Sequence, residues 1–131
     1  MDMRFLHDYN LYNINMSSKE IILSCAECFT ETPKIYNIHL IDVHYFFGSE
    51  LKAGNIILDI EVHELAKIPQ KEFDQIFTRE SDGVKVRFDE YSEKYIFYLC
   101  SSYGCDLKAI VGKIRLTTLV DGKEEICGEL L

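Results

Sequence analysis

The sequence predicts an α+β protein that is mainly β, with about seven strands in a single curved antiparallel sheet and one helix near residues 69–79. Apolar and polar side chains alternate with a period of two in several segments, and a helical period occurs in one segment. All connections between strands, except the one that holds the helix, are too short for parallel crossovers. Such a sheet curves into a sandwich or a partly open barrel, with the helix covering one face or end.

The first half of the chain contains three predicted strand segments, separated by polar turns: residues 5–15, 20–29 and 34–47. Pro33 ends the second segment because proline cannot donate a hydrogen bond to a sheet. After the third segment, Ser49 is suited to cap a single helical turn that Gly54 ends.

Residues 56–65 show the clearest alternation in the chain. One predicted face is apolar and comprises Ile56, Leu58, Ile60 and Val62. The opposite face is polar and comprises Asp59, Glu61 and His63. This pattern is typical of a strand with one buried and one solvated face.

The predicted helix lies at residues 69–79, where Phe73, Ile76 and Phe77 recur at helical spacing and Pro69 suits the first turn. Three strands are predicted after it: residues 84–89, 95–100 and 107–120.

The continuous apolar run at residues 95–100 indicates a central strand. In the last strand the apolar phase switches near Gly112, which predicts a bulge or a sharp bend. From Asp121 the tail is polar, and we expect it to end loosely.

The chain has 131 residues, the length of one globular domain spanning 1–131, and a formal net charge of −8. Residues 59–93 are the most acidic part, with 10 acidic and 5 basic side chains. A protein this acidic repels phosphate backbones and anionic lipids, which argues against nucleic-acid and membrane partners. It favours a basic protein partner that meets the middle third.

Five cysteines and a polar N-terminus without a signal-peptide pattern predict a cytoplasmic protein with reduced thiols. Cys25 and Cys28 form a C-x-x-C pattern, and Cys100 and Cys105 could join them as zinc ligands or form a disulfide. Strand positions three apart point to opposite faces, however, so we expect Cys25, Cys28 and Cys127 to be buried structural residues. The cysteines therefore predict no zinc site, and the sequence predicts no cofactor.

The other histidines have weak signals. His7 and Asp8 are similar to the HD dyad of metal-dependent phosphohydrolases, but the further ligands and helices of that site are missing, so we expect a structural role. His39 and His44 are five positions apart and are expected to be hydrogen-bonded histidines of the sheet.

Three stretches resemble small bacterial β-rich proteins of unknown function, some of which are similar to immunity proteins that neutralise polymorphic toxins. The stretches are Leu6-His7-Asp8 with Leu11 and Ile14, Gly54-Asn55-Ile56-Ile57, and Ser101-Ser102-Tyr103-Gly104. The resemblance covers residues 5–119. It implies a single cytoplasmic domain without known catalytic residues, and it gives no site residues.

No established catalytic motif is present, which favours a non-enzymatic binding protein. In its most specific form this is an acidic immunity-type inhibitor that occludes a basic toxin. Acidic residues would steer the partner, and a tyrosine in the turn after the aromatic strand would anchor it. The predicted binding residues are Asp59, Glu61, His63, Glu64, Asp82 and Tyr103.

Other functions stay open at this point. Asp59, Glu61 and His63 could bind a divalent metal, as in a small metal-dependent hydrolase, or simply form a solvated strand face. A homo-oligomeric structural module, joined by pairing of a sheet edge with its copy, is a further alternative. Binding of a small ligand in a barrel mouth is another.

Overall fold

The computed structural model describes residues 1–49, 55–77, 95–102 and 106–131. Within these ranges the protein has seven antiparallel strands in one curved sheet and a single α-helix, as predicted. The strands are β1 (Asn10–Met16), β2 (Glu20–Ala26), β3 (Ile35–Ser49), β4 (Asn55–Glu64), β5 (Tyr95–Ser101), β6 (Asp106–Val120) and β7 (Lys123–Leu130). The helix is α1 (Gln70–Phe77), and a 3₁₀ turn at Arg4–Leu6 precedes β1.

The sheet has the strand order β3-β2-β1-β4-β5-β6-β7, and β3 also pairs with β6. That extra pairing runs from Tyr36 opposite Thr118 to Ser49 opposite Asp106. It joins strands that stand far apart in the order, so the sheet must curve strongly. The predicted curvature is confirmed.

The apolar core lies on both sides of β5 and β6. The larger cluster fills the concave side and includes Phe97, Leu99 and Leu107, whereas Ile96 and Ile110 face the helix. Alternate side chains of a strand point to opposite faces, so a strand buried on both faces must be apolar throughout. β5 is apolar throughout because it is buried on both faces. Its predicted central position in the sheet is confirmed, since it lies between β4 and β6.

The switch of apolar phase in β6 is also present. Val111 and Ile114 both belong to the concave core although three positions separate them. Their partners on β3 are Val43 and Leu40, with the same separation. Asp42 lies between these two partners in the left-handed backbone region, with φ 55°, so both strands bend at one place.

The expectation that the tail after Asp121 ends loosely is wrong. Lys123–Leu130 forms β7, which pairs with β6 from Val120 opposite Lys123 to Ile114 opposite Leu130. A tight turn at Asp121 and Gly122, with φ 52° and 79°, joins the two strands. The predicted strand at 84–89 lies outside the described residues, so β7 supplies the seventh described strand in its place.

The predicted alternation of β4 is interrupted at its start. A register shift between Ile57 and Asp59 places one extra residue in the strand. Leu58 is therefore 47% exposed, and the expectation that it shares the buried face with Ile60 is wrong. Ile57 takes the buried position before the shift.

The helix is confirmed over residues 70–77, with Phe73 and Phe77 buried against the sheet. Positions 78 and 79 lie outside the described residues, as does the predicted turn after Ser49, which itself ends β3. No helix among the described residues is long and apolar enough to cross a membrane.

The cysteine predictions hold in part. Cys25 is buried and Cys28 is half-buried, whereas Cys127 is exposed on β7 and is not the core residue we expected. Burial raises the pKa of the Cys25 thiol to about 12. Cys100 is a free thiol, and Cys105 lies outside the described residues.

Candidate functional site

The polar face of β4 lies on the outside of the sheet, on the same side as the helix. Asp59 and Glu61 pair with Cys100 and Tyr98 of β5, and both carboxylates are exposed. His63 lies further along the strand and is half-buried. The three predicted residues therefore share one face, as the alternation indicated.

Helix α1 turns this face into a cleft. The cleft has a volume of about 430 Å³ and is lined by Glu61, His63, Glu72, Gln75, Ile76 and Tyr98. The helix buries Phe73 and Phe77 against β5 and β6, so the neighbouring positions Glu72, Gln75 and Ile76 face β4.

A shallower depression of about 310 Å³ continues along the end of β4. It shares His63 and Glu72 with the cleft and adds Glu64 and Lys67. The Lys67 Nζ lies 2.9 Å from Glu64 Oε2 in an exposed ion pair that raises the pKa of the lysine. Exposed pairs of this kind contribute little to stability, because solvent screens the charges.

The electrostatic character of the outer face is visible at Cys100. Burial raises the pKa of its thiol, a hydrogen bond with Tyr98 lowers it, and the negative charges of nearby carboxylates raise it further. Those carboxylates are Asp106, Glu61 and Asp59. These three carboxylates therefore lie close enough to Cys100 to disfavour its thiolate.

A lysine lies beneath this acidic surface. Lys108 of β6 stands between Tyr98 of β5 and Phe47 of β3 in the pairing and is 1% exposed. Its Nζ lies 5.7 Å from the centre of the Phe47 ring, within the range of a cation–π contact. The Lys108 side chain is therefore not available for direct contact with a partner.

The structure brings together four of the six predicted site residues and adds three more. Asp59, Glu61, His63 and Glu64 follow one another along β4, while Asp82 and Tyr103 lie outside the described residues. The sequence analysis missed Glu72, Gln75 and Tyr98. The helical period of residues 69–79 predicts that Glu72 and Gln75 point away from the buried face that carries Phe73. It does not predict that the helix packs beside β4, because no local pattern in the sequence encodes that contact.

A metal site at Asp59, Glu61 and His63 has no geometric support. Within the ranges that the structure describes, no group of three or more His, Cys, Asp or Glu side chains could hold a metal ion.

A second polar cluster surrounds His39 on the outer face of β2, β3, β6 and β7. His39 Nδ1 lies 2.8 Å from Glu20 Oε1, and its Nε2 lies 3.2 Å from both Thr117 Oγ1 and Glu124 Oε1. The expected hydrogen-bonded sheet histidine is confirmed at this position. Although a hydroxyl, an imidazole and a carboxylate meet here, Thr117 is 2% exposed, so a substrate has no access to the hydroxyl.

Comparison with known proteins adds no function to this geometry. No protein-family model, no curated protein and no solved structure matches the chain. The resemblance to immunity proteins accordingly stays a prediction from three short stretches, and the acidic cleft is the starting point for a functional assignment.

Proposed function

We propose that this protein is a non-enzymatic binding protein that takes a basic protein partner at the cleft between β4 and α1. One observation carries the proposal: Glu61 and Glu72, from two different elements, line the same open cleft. Asp59 extends the acidic surface along the strand, and Glu64, paired with Lys67, lies at the end of that strand.

The physical basis is long-range attraction followed by local packing. Exposed carboxylates steer a basic partner and raise its association rate, particularly at low salt. Tyr98 and Ile76 supply apolar surface inside the cleft, which the stem of an arginine or lysine side chain can cover. In its most specific form, the partner is a basic toxin whose active surface becomes occluded.

The proposal is tested with labelled octalysine as the probe and octaglutamate as the probe of opposite charge. We expect octalysine to bind at about 0.01 M salt and to lose most of its affinity near 1 M, because the Debye length falls from about 30 Å to about 3 Å. The double variant Glu61→Gln and Glu72→Gln should weaken binding by about tenfold, because it removes two of the charges that attract the peptide to the cleft.

The matched control is the double variant Glu31→Gln and Glu125→Gln, which removes the same charge from exposed positions on a loop and on β7. It should reduce octalysine affinity by much less than the cleft variant. Equal losses in the two variants, or equal binding of octaglutamate, would contradict a specific acidic site. Growth rescue by co-expression with a basic toxin would then test the immunity form.

A further inference from the structure

We propose that the partner presents an extended basic segment that lies antiparallel along β4 and inserts one apolar side chain into a second cleft at the start of that strand. This inference rests on the proposed function and adds the partner's conformation and its anchor. The basic residues would occupy the acidic cleft, and the anchor would lie C-terminal to them.

The second cleft has a volume of about 360 Å³. It lies between the residues that precede β1, the residues that follow β2 and the start of β4. It is lined by His7, Asp8, Tyr9, Glu27, Cys28, Phe29 and Ile56. Rings and aliphatic groups from Tyr9, Phe29 and Ile56 make it suited to a leucine-sized or aromatic side chain. The acidic cleft has fewer apolar lining residues, Ile76 and Tyr98.

Phe29 is the unusual residue of this cleft. It is fully exposed to solvent and adopts φ 60°, a left-handed conformation that is unfavourable for a bulky side chain. Exposed aromatic surface and backbone strain both cost free energy in the unbound protein. A partner side chain that packs against the ring would recover part of that cost, which is the reason to assign Phe29 to binding.

The charges around the second cleft fit the same partner. The carboxylates of Asp8 and Glu27 border it, and His7 Nδ1 lies 3.1 Å from Asp8 Oδ2. A basic segment therefore meets acidic groups at both ends of its path, whereas an acidic segment would be repelled at both.

The two clefts are connected by the outer side of β4. Ile56 belongs to the second cleft and Glu61 to the first, five positions further on, which corresponds to about 17 Å in an extended strand. Leu58 and Asp59 lie between them and are both exposed. An extended segment can follow this line without meeting a barrier in the described part of the chain.

On the edge of β4 that faces away from β5, the main-chain groups from Leu58 onward pair with no strand among the residues that the structure describes. Among the described residues, the pairing of β4 with β1 consists of Ile56 opposite Asn10 and Asn55 opposite Leu11, whereas its pairing with β5 continues to Glu64. From Leu58 onward, the described strands thus pair with one edge of β4. Addition of a strand to the other edge is a recurring mode of peptide recognition, and an antiparallel direction matches every described pairing of this sheet.

The test compares two labelled peptides that carry a lysine pair followed, five residues later, by either leucine or serine. We expect the leucine peptide to bind the wild-type protein about tenfold more tightly, the effect of burying one such side chain. Phe29→Ser should abolish that advantage and leave the affinity for the serine peptide unchanged. The control Ile126→Ser, which removes an exposed apolar residue of β7, should preserve the advantage.

The outcomes separate this inference from the proposed function. If both peptides bind equally and Glu61→Gln weakens both, the basic partner stands and the apolar anchor is wrong. If neither peptide binds although octalysine does, this inference fails and the proposed function stands; if octalysine does not bind either, both proposals fail. N-methylation of alternate amides between the lysines and the leucine should lower affinity at least tenfold, and unchanged binding would overturn the strand-like conformation.

Discussion

The carboxylate of Glu124 is held by donors from two other strands. Its Oε1 accepts hydrogen bonds from the Thr117 hydroxyl at 2.9 Å and the Asn37 amide at 3.0 Å, and His39 Nε2 lies 3.2 Å away. These donors, the hydroxyl first, lower the pKa of Glu124, while partial burial opposes them. At the residue scale, this contact ties β7 to β3 and β6.

We expect Glu124→Gln to destabilise the protein at pH 7 by about 1 kcal/mol, because the ionised acceptor is lost at a half-exposed position. A pKa lowered by folding stabilises the protein above the ordinary value of 4.5, and this contribution disappears as the pH falls through the folded pKa. The difference between variant and wild type should therefore shrink below that pH. Urea denaturation at several pH values measures it.

The neighbouring Glu125→Gln serves as the control, since no hydrogen bond of its carboxylate to these donors is present. It should leave the free energy of unfolding nearly unchanged. A loss equal to that of Glu124→Gln would show that general charge, and not the hydrogen bonds from Thr117 and Asn37, accounts for the effect.

The hairpin of β6 and β7 depends on the dipeptide in its turn. Asp121 and Gly122 both have positive φ, the geometry that a two-residue turn needs to match the twist of its strands. Asp-Gly between extended segments is a strong hairpin signal, so the sequence contained the information for β7. The alternation pattern does not indicate β7, because residues 123–125 are all polar. An exposed edge strand has no buried face and therefore needs no alternation.

Gly122→Ala should destabilise the protein by about 1 kcal/mol through backbone strain. No atom lies within 4 Å of the added Cβ, so a steric clash does not contribute. Asp121→Asn is the control, because asparagine tolerates the left-handed region and stability should stay constant. Chemical denaturation of both variants provides the comparison, and an unaffected Gly122→Ala would contradict the turn geometry.

The charges of β7 also bear on the homo-oligomer alternative. Lys123, Glu124 and Glu125 are exposed on a strand that, among the described residues, pairs only with β6. Charged side chains on edge strands disfavour pairing with a second copy. Self-association through this edge stays a prediction, which light scattering would decide.

On the scale of the whole molecule, β5 and β6 connect the two apolar clusters. Ile96 and Ile110 contact the helix, while their sequence neighbours Phe97 and Ala109 belong to the concave core. The helix therefore cannot detach without exposing the outer side of the central strands. The two apolar clusters are therefore coupled through the strands that they share.

We expect unfolding to be one cooperative transition, with the same midpoint by far-UV circular dichroism and by tyrosine fluorescence. Phe73→Ala should lower the free energy of unfolding by about 3–5 kcal/mol because it leaves a cavity under the helix. Phe73→Leu is a milder variant if the alanine protein does not fold, and Met16→Ala, at an exposed position, should change little. Separate transitions for the two probes would contradict the coupling.

The local sequence determined the elements that depend on side-chain period. Alternation specified β4 and its polar face, the helical spacing of Phe73, Ile76 and Phe77 specified α1, and an unbroken apolar run specified the central strand. These predictions succeeded because the spacing of apolar side chains within a strand or helix determines whether one or both of its faces are buried.

Tertiary structure alone decided what depends on contacts between distant segments. The extra residue in β4 exposes Leu58, and the docking of α1 adds Glu72 to the face that carries Glu61. The second cleft joins Phe29 to Ile56 across three segments. A periodic pattern records which side of an element is buried, but it carries no record of which other element covers that side, so the acidic strand could be predicted from the sequence and the clefts could not.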